Sequence, residues 1–123
     1  MAKKIRSLVA LVAAPLVLAA GSAHAAYGGT CGAEFTALDD AIRNATTFKA
    51  EMDRTNLLGK VSSAVTKVAY DKIDDAVVIL DAVSDKASSL ASAAKPKLGA
   101  GDATNIMNGA YATIMCLNPN YIP

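Results

Sequence analysis

Residues 73–94 read IDDAVVILDAVSDKASSLASAA, and this stretch has the most regular apolar pattern in the chain. Its apolar residues recur at steps of three and four, the spacing that places side chains on one face of a helix. Asp71 is suited to the N-cap, and Pro96 stops the helix because proline cannot continue it. We therefore predict an amphipathic helix whose middle positions lie at the centre of the core. The positions on its apolar face are Ile73, Val77, Leu80, Val83, Ala87, Leu90 and Ala94.

The same spacing predicts three more helices. We place the break between the first two at Thr55-Asn56, a pair that favours capping a new helix. Asp102 is expected to cap the last helix. No stretch alternates with a period of two, so no strand is predicted. The apolar positions are Cys31, Phe35, Leu38, Ile42, Ala45, Phe48 and Met52 in the first helix, Leu57, Val61, Ala64, Val65 and Val68 in the second, and Ala103, Ile106, Ala110, Ile114 and Leu117 in the last.

Four amphipathic helices with short connections predict an all-α fold, a small antiparallel four-helix up-and-down bundle. Each apolar face leaves water only by packing against the others. Many of the alanines lie on or beside these faces, and small side chains let helices approach closely. We therefore expect a thin core without a cavity of the ~300–1,000 Å³ that is typical of ligand pockets.

The only two cysteines, Cys31 and Cys116, are predicted to form a disulfide. Two cysteines in an exported chain most often pair, the alternative being two free buried thiols. The pairing fits the topology, since the start of the first helix and the end of the fourth lie at the same end of such a bundle. The cross-link spans 85 positions, and the lost entropy of the unfolded chain gives an upper value of roughly 4.5 kcal/mol.

Residues 1–25 are typical of a bacterial secretory signal peptide, which leaves residues 26–123 as the mature domain. The apolar stretch has 13 residues, fewer than the ~20 needed to span a bilayer. We expect cleavage before Ala26, secretion to the extracellular space, and no stable membrane insertion of the mature chain. The basic start, the apolar stretch and the small-residue cleavage site are Lys3, Lys4 and Arg6, residues 8–20, and Ala23-His24-Ala25.

Loss of this segment changes the chemistry that remains. The net charge falls from +1 to −2, with 9 basic and 11 acidic residues. The mature chain therefore lacks the excess of basic residues that is typical of nucleic-acid-binding proteins. The only histidine, His24, is removed, and the chain has no tryptophan. The usual general base and the commonest metal ligand are therefore missing. We predict a protein that is not an enzyme and that has no cofactor and no metal site.

Two motifs with catalytic residue types are interpreted as ordinary helix features. Adjacent acids such as Asp39-Asp40 and Asp74-Asp75 point about 100° apart on a helix and do not converge. We interpret them as solvated charges, with Arg43 spaced for an i,i+4 pair with Asp39. The Ser-x-x-Lys match ending at Lys95 lies at a helix end, where a lysine complements the helix dipole.

Asp74, Asp81 and Asp85 form the candidate binding face. Steps of seven and four place the three carboxylates on one side of the third helix. The sequence pattern of a calcium-binding loop is absent, so a solvated face is the simpler interpretation. If a partner binds, we expect it to be basic and to bind there, with an affinity that falls as salt rises.

Several motifs resemble those of a known domain. They are Asn56-Leu57-Leu58-Gly59-Lys60-Val61, Asp75-Ala76 and Ala94-Lys95-Pro96-Lys97-Leu98. The mature domain resembles small helical modules of secreted actinobacterial proteins, and its last three helices resemble the FIMAH-type domain of bacterial exported enzymes. Those domains often carry Phe where this chain has Val83. The resemblance implies an accessory, non-catalytic module and supplies no functional residues.

The function predicted from the sequence is therefore binding. We expect a secreted helical module that binds the cell envelope or another protein. The alternative is a carrier that holds a small apolar ligand between its helices, and a cavity would distinguish the two.

Overall fold

The computed structural model describes residues 26–122, which form four α-helices. No strand occurs in this range, so the predicted all-α four-helix fold is confirmed. The proposed signal segment lies outside the described residues. Within them, no helix has the length and apolar character needed to cross a membrane. The helices are α1 (Gly32–Asn44), α2 (Glu51–Ala69), α3 (Ile73–Ser92) and α4 (Ala100–Leu117).

The helices pack in a closed ring, each against the next and α4 against α1. The predicted disulfide is present, and it joins Cys31 before α1 to Cys116 near the end of α4, with 6.0 Å between the Cα atoms. Helices α1 and α4 are also joined at their other ends. Thr47, which follows α1, donates a hydrogen bond to Asp102 in the first turn of α4. Helices α1 and α4 therefore run in opposite directions, as expected of an up-and-down bundle.

The predicted apolar faces form the core. Leu80 and Val83 of α3 are fully buried, as are Leu57 of α2 and Ile106 of α4. Close approach is visible where α1 meets α4, because a Cβ atom added to Gly109 would lie 3.2 Å from a methyl carbon of Leu38. The central positions predicted for α3 are all buried, namely Val77, Leu80, Val83 and Ala87.

The break between the first two helices lies earlier than predicted. Helix α1 ends at Asn44 and α2 begins at Glu51, so Thr55 and Asn56 lie inside α2. Phe48 is in the connection rather than on a helix, and Met52 is 72% exposed instead of joining the apolar face of the first helix.

A tertiary interaction accounts for this earlier break. Nη1 of Arg54 donates hydrogen bonds to the carbonyl oxygens of Ile42 and Arg43, at 2.7 and 2.8 Å. Those carbonyls belong to the last turn of α1, where helices leave acceptors unsatisfied. The same guanidinium lies 4.8 Å from the ring centroid of Phe48, a cation–π contact. Arg54 thus fixes the end of α1 from the next helix along the chain.

The predicted start and end of the third helix are also wrong in detail. Asp71 is not the N-cap of α3, since Lys72 takes that position without a side-chain hydrogen bond. Asp71 instead has a left-handed backbone, with φ of 60°. Its N–H donates to the carbonyl of Val68, and the N–H of Lys72 donates to Lys67. This pattern is the Schellman motif, which ends α2. Helix α3 ends at Ser92, before the predicted Ala94.

Asp71→Gly should raise the free energy of unfolding by about 0.5–1 kcal/mol. Glycine adopts positive φ without the steric cost of a Cβ atom, although its freer unfolded chain cancels part of the gain. The Asp71 side chain is exposed. Urea unfolding measures the effect, and Asp71→Ala is the control that should give no gain. A glycine variant less stable than the wild type would contradict this description of the turn.

Candidate functional site

The predicted binding residues share one exposed row on α3. Asp74, Asp81 and Asp85 are all exposed, and Val78 lies among them with 68% of its surface accessible. Steps of four, three and four keep the four residues on one side of the helix. We call these four residues the α3 face. The α3 face therefore combines one apolar side chain with carboxylates on both sides of it along the helix. The spacing of the acidic residues alone did not indicate this apolar side chain.

The C-terminal segment borders the α3 face. The hydroxyl of Tyr121 donates a long hydrogen bond of 3.4 Å to Oδ1 of Asp81. Partial burial raises the pKa of Tyr121, and the negative charges of Asp81 and Asp85 raise it further. The hydroxyl therefore stays protonated at neutral pH and remains a donor. Sequence reasoning missed Tyr121 because it follows α4 and belongs to no helical pattern.

The connections α1–α2 and α3–α4 lie side by side at the other end of the bundle from the disulfide. The N–H of Lys49 donates to the carbonyl of Lys97 at 3.0 Å, and the N–H of Gly99 donates to the Thr47 hydroxyl at 2.8 Å. Between the connections lies a cleft of about 400 Å³, which we call the loop cleft. It is lined by Thr46, Thr47, Phe48, Lys49, Pro96, Leu98 and Gly99.

Asp102 joins the α1–α2 connection to the first turn of α4 instead of capping α4. The N-cap of α4 is Gly99, and Asp102 lies within the first turn. Its Oδ2 accepts the N–H groups of Thr46 and Thr47, both at 3.0 Å, and the Thr47 hydroxyl. These bonds lower the pKa of Asp102, chiefly the one from the Thr47 hydroxyl, while partial burial opposes the shift. The partners are 56 and 55 residues away in sequence, so no local pattern could reveal them.

Asp102→Ala should destabilise the bundle by about 1–3 kcal/mol at neutral pH, because hydrogen bonds to an ionised carboxylate are removed. The pKa is lower in the folded state, so this stability is present above the ordinary value of 3.8 and is lost as pH falls through the lowered value. Urea unfolding should therefore show the difference at pH 7 and a shrinking difference below about pH 4. Asp85→Ala is the exposed control, with an effect within about 0.5 kcal/mol. An Asp102 effect that does not change with pH would rule out the ionised carboxylate as its source.

A second cleft of about 400 Å³ lies at the disulfide end. Tyr27 forms part of its wall, with its ring edge-on to Phe35 at 6.1 Å between centroids. Burial raises the pKa of Tyr27, the charge of Asp39 adds to this, and Arg43 opposes it. We call this cavity the N-terminal cleft. It is lined by Tyr27, Gly29, Thr30, Gly32, Phe35, Val65, Val68 and Ala69.

Both clefts lie at the ends of the bundle, so they do not contradict the expectation of a core without a cavity of this size. Both clefts reach the ~300–1,000 Å³ range of ligand pockets, at about 400 Å³ each. Neither lies between the middles of the helices. Their walls include residues outside the helices, which the apolar pattern of the helical faces does not describe.

Asp39 also differs from its interpretation as a solvated charge. It is 1% exposed, and Nε of Arg43 lies 2.8 Å from its Oδ2. The predicted i,i+4 pair is thus confirmed, but its carboxylate is buried while the Arg43 side chain is 34% exposed. Asp39 follows the buried Phe35 by four residues, which places it at the edge of the buried face. Asp74 and Asp75 are exposed, as interpreted.

The remaining clusters offer little chemistry. Ser92 is the last residue of α3, and Lys95 lies in the following connection, both exposed. Ligand atoms of Cys31, Glu34 and Cys116 lie within 4.8 Å of one another. Both sulfur atoms are joined in the disulfide, so neither is a thiolate that could hold a metal ion.

Comparison of the chain with protein-family models, curated proteins and solved structures found no match. The resemblance to the FIMAH-type domain therefore stays a prediction.

Proposed function

We propose that this chain is a secreted, non-catalytic helical module that acts by binding to the cell envelope or to another protein. The observation that carries the proposal is the α3 face, where exposed Val78 lies among three exposed carboxylates. An apolar centre with a polar rim is the usual composition of a recognition surface. The fully buried core of α3 is on the opposite side and supports folding only.

The charge of the α3 face favours a basic partner. Its residues carry three negative charges within about three helical turns. Opposite charges increase the rate of association and fix its orientation, and both effects weaken with salt. We therefore expect binding that is strongest at low ionic strength.

The disulfide supports the secreted part of the proposal. Disulfides persist in oxidising compartments outside the cytosol, and the Cys31–Cys116 bond closes the bundle. Intact-mass measurement of the protein recovered from the medium tests this part. We expect a chain beginning at Ala26, whereas a product that keeps Met1 and sediments with membranes would contradict secretion.

A pull-down from culture medium and cell-wall fractions tests the binding function. The bait is the oxidised chain of residues 26–123, compared with the variant Asp74→Asn, Asp81→Asn and Asp85→Asn. We expect a partner that the wild type retains at low salt, that elutes as salt rises, and that the triple variant loses.

A matched control separates the position of the charges from their number. Asp71→Asn, Asp75→Asn and Glu51→Gln change the charge equally at other exposed positions, and this variant should retain the partner. Both variants should unfold close to the wild-type temperature, because solvated charges contribute little to stability, and so does an ion pair as exposed as that of Glu51 with Arg54. Equal retention by the α3-face variant would place the site elsewhere.

The N-terminal cleft favours a second candidate function, the carrier of a small apolar ligand. Its walls include Phe35, Val65 and Val68, which suit an apolar guest. Titration with an apolar fluorescent probe tests this candidate. A carrier should bind one probe per chain and lose it in Val68→Trp, which fills the cleft, but not in Val78→Trp on the α3 face. Equal binding by both variants would exclude the cleft as the site.

A further inference from the structure

Three exposed lysines lie at the loop cleft or next to residues that line it, namely Lys49, Lys95 and Lys97. Among residues 26–122, the ion pairs involve Arg43, Arg54 and Lys86. Lys49, Lys95 and Lys97 take part in none of them and are all exposed. The end of the bundle where its two longer connections meet therefore carries three exposed lysines and one carboxylate, that of Asp102, which accepts hydrogen bonds from Thr46 and Thr47.

Part of the lining of the loop cleft is apolar. Phe48 and Pro96 line it together with Leu98, whose side chain is 1% exposed. The cleft volume of about 400 Å³ exceeds that of one aliphatic side chain. Its chemistry therefore fits an apolar side chain that is flanked by carboxylates.

The α3 face of this chain has that composition. Val78 is 68% exposed and has Asp74 four residues before it and Asp81 three residues after it. The row from Asp74 to Asp85 extends about 16 Å along the helix. Three carboxylates in a row with one apolar side chain are thus opposite in charge to the three lysines at the partly apolar loop cleft, which outnumber the single carboxylate of Asp102.

One copy cannot join its own two surfaces. Asp74 lies in the first turn of α3, whereas the loop cleft is formed after the end of α3. We infer that the loop cleft docks the α3 face of a second copy of this chain, with Val78 in the cleft and the lysines paired with the carboxylates. This inference rests on the proposed binding role of the α3 face and names one basic partner for it.

The contact uses two different surfaces, so it is a heterologous, head-to-tail contact. Such contacts leave one free surface of each kind and continue into rings or open chains. The association is expected to be weak, because it rests on exposed charges and one small apolar side chain.

Sedimentation measurements on the oxidised chain of residues 26–123 test the inference, since the bundle lies wholly within this range. The average mass should rise with concentration at low salt. It should return to that of the monomer in 1 M NaCl, where the screening length is about 3 Å. A monomer at low salt at every concentration up to about 1 mM, the range of weak contacts, would overturn the inference.

Neutralising variants locate the two surfaces. The variant Lys49→Gln, Lys95→Gln and Lys97→Gln and the α3-face variant with three asparagines should each weaken association by roughly tenfold. A control with Lys60→Gln, Lys67→Gln and Lys72→Gln removes the same charge from α2 and the turn after it, and should associate like the wild type. Equal weakening by this control would show a general effect of charge and overturn the proposed contact.

Mixing the two neutralised variants gives the sharpest test. Each variant keeps the surface that the other has lost, so a mixture should form dimers of one chain of each kind and nothing larger. The absence of these mixed dimers would overturn the inference. The proposed function would be unaffected by that result, because it is measured by the pull-down with extracts and this association is measured on purified protein alone.

Discussion

Reducing the Cys31–Cys116 disulfide should lower the free energy of unfolding by about 2–5 kcal/mol. The bond joins residues 85 positions apart. Its loss therefore increases the conformational freedom of nearly the whole domain in the unfolded state. A domain of this size has only about 5–15 kcal/mol of net stability. The unfolding temperature should therefore fall by at least about 10 °C.

The measurement is thermal unfolding with and without reductant, together with a variant that lacks both thiols. Cys31→Ser with Cys116→Ser should match the reduced wild type and should not respond to reductant. Cys31 has a left-handed backbone with φ of 58°, so Cys31→Gly with Cys116→Ser should recover a small part of the loss. A reduced protein as stable as the oxidised one would show that the helical contacts alone fix the bundle.

The helices were predictable because their faces are continuous. Phe35, Leu38 and Ile42 follow one another at steps of three and four and are all buried. Each turn of such a helix must place an apolar side chain toward the core, so the buried face can be seen directly in the spacing of apolar residues in the sequence. The disulfide was predictable because the chain has only two cysteines, which allow one pairing. An up-and-down bundle of four helices places both cysteines at the same end.

The break between α1 and α2 was not predictable from the local pattern. The sequence after Asn44 keeps apolar residues at helical spacing, including Phe48 and Met52. The chain nevertheless leaves the helix, and Arg54 satisfies the carbonyls at the end of α1. Asp102 is a similar case, because it lies in α4 and its partners Thr46 and Thr47 lie in the α1–α2 connection.

The candidate site shows the same division. The acidic residues of the α3 face were predicted from their spacing, and their exposure follows from the burial of the opposite side of the helix. Val78 at its centre was overlooked, because an apolar residue in a helix suggests the core. The two clefts could not be predicted, since their walls combine residues from connections and helices far apart in sequence.

Leu80→Ala should lower the free energy of unfolding by about 2–5 kcal/mol, as is usual when a buried leucine is truncated in a packed core. Leu80 is fully buried on α3, and α3 packs against both α2 and α4. The buried residue one turn before it is Ala76, whose short side chain cannot move in to fill the space. The cavity should therefore persist, which places the expected cost toward the upper part of this range.

Val78→Ala is the matched control, two residues earlier on the same helix. Val78 is 68% exposed, so its truncation should change stability by no more than about 0.5 kcal/mol. Urea unfolding of the two variants at one pH compares them directly. A small cost at Leu80 together with a large cost at Val78 would mean that α3 is turned the other way, and the α3 face would then belong to the core. If Leu80→Ala costs much more than Val78→Ala, as we expect, the Val78 side chain contributes little to the stability of the fold. Any role of Val78 then concerns binding.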